Sequence, residues 1–71
     1  MAFKQTKGSV TVEACVFPAP GGMFKGALRV TTTRRGKEIQ QVTGRGCGRP
    51  MSISAQALEL AEIEARRVLG V

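Results

Sequence analysis

The stretch MFKGALRVTTTRRGKEIQQVT, Met23 to Thr43, decides the fold. From Met23 to Thr33 apolar and polar residues alternate. Phe24, Gly26, Leu28 and Val30 share one face, and Lys25, Ala27, Arg29 and Thr31 share the other. A period of two is the signature of a half-buried strand. The run Thr31-Thr32-Thr33 is β-branched and favours the same state. Arg34-Arg35-Gly36-Lys37 then reads as a tight turn, with Gly36 able to supply a positive φ in a short hairpin loop. Glu38 to Thr43 reads as a weaker returning strand. In it Ile39 and Val42 have opposite parity, so either one points outward or a bulge separates them.

The pattern extends in both directions from this hairpin. Upstream, Gly8 to Phe17 alternates as well. Val10, Val12, Ala14 and Val16 lie on one face, and Ser9, Thr11, Glu13 and Cys15 on the other. Residues 1 to 7 read as a polar lead, and Pro18-Ala19-Pro20-Gly21-Gly22 as a breaker. Downstream, Gly44 to Pro50 reads as a connector in which glycines alternate with Arg45, Cys47 and Arg49. The period becomes helical from Ala55 to Leu69. Ala57, Leu58, Ala61, Ala65, Val68 and Leu69 form a stripe at spacings of three and four. Ser52 or Ser54 is the expected cap, Glu62 and Arg66 the expected i, i+4 pair, and Gly70 the stop. The expected fold is therefore a single α+β domain over residues 1–71. It has two layers: three antiparallel strands in order 1-2-3, with one C-terminal helix on one face. The helix must cover the apolar face, because the sheet has nothing else to bury it.

Composition limits the chemistry. There is no His, Asp, Asn, Tyr or Trp. Without His the usual general base near neutral pH is missing, and no nucleophile stands beside another base. A non-enzymatic role without cofactor is expected. Cys15 and Cys47 match no zinc spacing and read as reduced thiols of a cytoplasmic protein, so no metal is expected. Cys47 lies between Arg45 and Arg49, but it lacks a base partner and reads as incidental. No stretch approaches the roughly 20 apolar residues of a membrane span.

Charge bounds the partners. Residues 1 to 50 hold nine of the eleven Lys and Arg and two of the five Glu, a net of +7; the remainder carries −1. If Val12 and Leu28 face the helix, then Thr11, Glu13, Lys25, Arg29, Thr31 and Thr33 face solvent. Arg34, Arg35 and Lys37 extend that surface at the hairpin tip. Cations there neutralise phosphates and threonines add hydrogen bonds. The competing reading is an ordinary solvated face whose charges block edge pairing. Arg45 and Arg49 precede a helix start, where backbone N–H groups suit an anion; the plainer reading of that loop is a connector. Leu60 and Ile63 lie off the helix stripe. They are the candidate partner surface for the alternative function, a protein-interaction or homodimerisation module that uses the helix outer face or a sheet edge, which a small core invites.

The βββα order resembles the DNA-binding domains of plant ethylene-response factors and the arm-binding domains of some tyrosine recombinases. The likeness runs through Gly22-Met23-Phe24, Ala27, Gly36-Lys37, Val42, Ser54, Ala57, Ala61 and Ala65. It implies a three-stranded sheet laid in the DNA major groove and backed by the helix. The base-reading Trp and Arg residues of the plant family have no counterparts here, apart from Arg29 and Arg35 at loosely similar places.

Overall fold

A computed structural model describes residues 3–70; Met1 and Ala2 of the expected polar lead lie outside the described residues. The chain forms an antiparallel sheet with one C-terminal helix packed against it. The elements are β1 (Lys4–Lys7), β2 (Val10–Ala19), β3 (Met23–Arg34), β4 (Lys37–Thr43) and α1 (Ser54–Leu69). The sheet order is β1-β2-β3-β4.

The sheet thus has one strand more than expected. β1 lies in the polar lead and pairs with β2 from Lys4↔Glu13 to Lys7↔Val10. All four of its residues are exposed, so it carries no apolar alternation to detect. Its turn is Gly8-Ser9, with Gly8 at φ 64° and Ser9 outside the positive-φ region. Glycine first in a two-residue loop is the signature of a II′ hairpin.

β2 runs two residues further than expected, through Pro18 to Ala19. The amide of Ala14 donates to Phe3 O at 2.8 Å, on the β1 side of the strand. Even-numbered residues of β2 therefore direct their backbone groups away from β3. Pro18 has that parity, and its missing N–H falls on the edge beyond β1, where proline is tolerated.

The face parity expected for β2 and β3 holds. Val12 opposes Val30 and Ala14 opposes Leu28 across the pair. Val12, Ala14 and Leu28 are buried with Cys47, Ala61, Ala65 and Leu69. β4 pairs with β3 without a bulge, from Arg34↔Lys37 to Leu28↔Thr43. Ile39 therefore takes the helix-side face and Val42 the outer face, and each is 53% exposed.

α1 sits over β2 and β3 on a run of alanines. Ala57, Ala61 and Ala65 are fully buried, and Gly26 lies beneath them. A Cβ on Gly26 would run into Ala57 O and lie 3.1 Å from Ala61 Cβ. Small residues on both sides let the helix ride close to the sheet.

Three helix details depart from expectation. Ile53 is the N-cap, with no side-chain cap bond, so neither Ser52 nor Ser54 serves. Val68 is 50% exposed rather than part of the buried stripe. The ion pair on the helix is Glu64–Arg67, not Glu62–Arg66: Arg67 Nε donates to Glu64 Oε1 at 2.7 Å and its Nη2 to Oε2 at 2.6 Å. Arg66 instead stacks over Phe3, 5.4 Å from the ring centroid. Gly70 ends the helix in the left-handed region, as expected. Lys7 Nζ closes the same end on Leu69 O at 3.0 Å, where a cation favourably meets the negative end of the helix dipole.

Candidate nucleic-acid interface

The β3–β4 hairpin gathers the densest free charge. Arg34 and Lys37 close the hairpin as a cross-strand pair, and Arg35-Gly36 forms the two-residue loop. Arg35 has φ 51° and Gly36 φ 77°. Positive φ at both positions defines a I′ turn, whose twist matches that of the strands it joins. Arg35 is the one non-glycine residue with positive φ among the described residues. That conformation costs an arginine about 1–2 kcal/mol. Arg34, Arg35, Lys37 and Ile39 line a shallow open concavity of about 510 Å³. The three cations are exposed, and among the described residues they make no ion pair.

The outer sheet face is less basic than the sequence suggests. Arg29 Nη1 pairs with Glu13 Oε1 at 3.3 Å. Lys25 Nζ donates to Gly44 O at 2.8 Å and to Gly26 O at 3.4 Å. Both cations are thus engaged within the molecule. By register this face also carries Lys4, Thr6, Thr11, Thr31, Glu38 and Gln40. Thr6 and Thr11 share a hydroxyl hydrogen bond at 2.8 Å. Arg34 and Lys37 have the opposite parity and belong to the helix-side face, so the tip does not continue the Lys25–Arg29 row. One aromatic, Phe17, lies on the outer face opposite Lys25 and is 39% exposed. It sits ten β3 residues from the tip, about 33 Å away.

Arg45 and Arg49 are exposed but lie elsewhere. The Arg45 amide donates to Thr43 Oγ1 at 3.2 Å. Arg49 lines a second shallow concavity with Met23, Pro50, Met51 and Ser52. Met23 and Arg34 are the two ends of β3, about 36 Å apart at roughly 3.3 Å per residue. The seven candidate cations therefore do not form one patch. Arg34, Arg35 and Lys37 are brought together, Lys25 and Arg29 are engaged, and Arg45 and Arg49 stand apart.

The connector has a structural explanation. A Cβ on Gly46 would run into the Glu64 carboxylate, and one on Gly48 would lie 2.9 Å from Leu60 Cδ1. The glycines let this loop lie on the helix. Cys47 is buried, and burial raises its thiol pKa above the ordinary value. Burial likewise raises Cys15, whose Sγ donates to Ala27 O at 3.4 Å. Both shifts run opposite to the lowering that activates a thiol. Leu60 is half-buried under Gly48, whereas Ile63 is 55% exposed. The expected Leu60–Ile63 partner patch is thus reduced to one exposed side chain.

Among the described residues no group of three His, Cys, Asp or Glu side chains is placed to hold a metal, and no helix is long and apolar enough to cross a membrane. No protein-family model matches the chain, and no curated protein or solved structure does either.

Proposed function

We propose that the protein is a non-enzymatic nucleic-acid-binding module that grips the phosphate backbone with the β3–β4 hairpin tip. The observation that carries this reading is Arg35. An arginine occupies a left-handed turn position where Gly would sit without strain and Asn with less. Strain held at an exposed position suggests a functional use for the side chain. Arg34 and Lys37 beside it are solvated and uncompensated, the state in which cations release counterions from nucleic acid. A β-ribbon of this kind fits the major groove of duplex DNA. On the outer sheet face Lys25 and Arg29 are engaged, which leaves the exposed Lys4 and the threonine hydroxyls as secondary contacts.

The test is binding to duplex DNA, duplex RNA and single strands across a salt series. Three backbone contacts should give a log–log slope of about −2.7, at about −0.9 per contact on B-DNA. The Arg34→Ala, Lys37→Ala double variant should weaken all sequences alike and flatten the slope by about two units. Its circular dichroism should match the parent, because both side chains are exposed. Absence of binding to every strand type at about 50 mM salt, where non-specific binders hold on, would overturn the proposal.

A further inference from the structure

The helix-side face of the β3–β4 hairpin is left open toward the tip. α1 covers β2 and β3, and all seven residues of β4 are exposed. By register β4 presents Lys37, Ile39 and Gln41 on this face, opposite Arg34, Thr32 and Val30 of β3. Same-face residues of a strand recur at about 6.7 Å, so the row from Lys37 to Gln41 is about 13 Å long. Four base-pair rises of about 3.4 Å cover the same length. The two charges among these six residues are both positive, and neither makes an ion pair among the described residues. Glu38 has the opposite parity, and Glu64 on α1 is already held by Arg67. The face therefore suits a polyanion. Ile39 is 53% exposed and lines the same open concavity as Arg34, Arg35 and Lys37. An aliphatic side chain gains nothing from phosphate. The apolar group that B-DNA offers a β-ribbon is the thymine 5-methyl group, in the major groove.

We propose that this face reads A·T pairs in the major groove of duplex DNA. The base reading rests on the backbone grip proposed for the tip and adds contacts to it. Arg34, Arg35 and Lys37 hold phosphates at the groove wall. Ile39 packs on a thymine 5-methyl group. Gln41, two residues further along the same row, pairs with an adenine: its carboxamide donates to N7 and accepts from the N6 amino group. Neither contact exists in the minor groove, where A·T and T·A present only the N3 and O2 acceptors. Duplex RNA offers neither as well, because its major groove is too deep and narrow for side chains and uracil lacks the methyl group. The substrate class is thus thymine-containing duplex DNA.

The test uses three duplexes of one length: an alternating A·T sequence, the same sequence with deoxyuridine in place of thymine, and a G·C sequence. All three carry the same phosphate charge, so the backbone grip alone cannot rank them. In anisotropy titrations of the full chain at about 50 mM salt, the thymine duplex should bind about fourfold tighter than its deoxyuridine counterpart, the worth of one buried methyl group. Ile39→Ala should bind these two equally. Ile39 lies outside the buried core, so the variant should fold, and circular dichroism checks this. Gln41→Ala should narrow the preference for the deoxyuridine duplex over the G·C one. Equal binding of thymine and deoxyuridine duplexes by the parent, with affinity still lost in the Arg34→Ala, Lys37→Ala variant, would overturn the base reading and leave the backbone grip standing. A methyl preference that survives in Ile39→Ala would overturn the contact assigned to Ile39. Absence of binding to all three duplexes would overturn both readings and leave the face to an acidic protein partner.

Discussion

Replacing Arg35 with Asn separates the turn from its charge. Arg35 holds φ 51° at the first loop position of the I′ hairpin. The left-handed region costs an L-residue about 1–2 kcal/mol, and Asn relieves part of that by bonding locally through its side chain. The exchange should recover about half, roughly 0.5–1 kcal/mol. Arg35 is exposed and makes no ion pair among the described residues, so no contact energy is lost against this gain. In a domain of this size about 1 kcal/mol moves Tm by 4–8 °C, so Arg35→Asn should melt roughly 2–8 °C higher. Arg35→Gly should gain about as much: it removes the whole strain of about 1–2 kcal/mol but enlarges the unfolded ensemble by about 0.5–1 kcal/mol. Far-ultraviolet dichroism reads the melt, and fluorescence anisotropy on labelled duplex DNA reads binding in parallel. If Arg35 contacts phosphate, Asn should weaken affinity and flatten the salt slope by about 0.9. Stability and affinity would then move in opposite directions, which partial unfolding cannot produce. A Tm at or below the parent would refute the strain argument. A higher Tm with unchanged affinity would remove Arg35 from the interface.

Two further outcomes follow from the packing. Gly26→Ala places a methyl against Ala57 O and Ala61, so it should destabilise by about 1–3 kcal/mol in chemical denaturation with an unchanged m-value; parent-like stability would mean the helix does not ride this close. The hydrogen bonds from Arg67 hold the Glu64 pKa below its ordinary value of about 4.3. A depressed folded pKa gives stability that is complete above the unfolded value and fades as pH falls through the lower folded one. Parallel melts between about pH 6 and pH 2.5 should show the parent losing this acid-sensitive component and Glu64→Gln lacking it; identical pH profiles would contradict the pairing.

The strongly periodic parts of the chain were legible in the sequence. Val12, Ala14, Leu28, Ala57, Ala61 and Ala65 declare their faces because burial imposes a period on each element. The hairpin at Gly36 was legible for the same local reason. β1 was not, because an exposed edge strand of four residues needs no apolar pattern. Its signal is the Gly8-Ser9 turn, which the alternation absorbs into the start of the following strand. The Arg29–Glu13 pair was hidden by register: the two residues are sixteen apart in sequence and direct partners in the sheet. The contact of Lys25 with Gly44 O depends on how the chain leaves β4, which no local pattern encodes. Nor does composition distinguish a free cation from an engaged one. The candidate surface therefore narrowed from seven residues to the three at the tip.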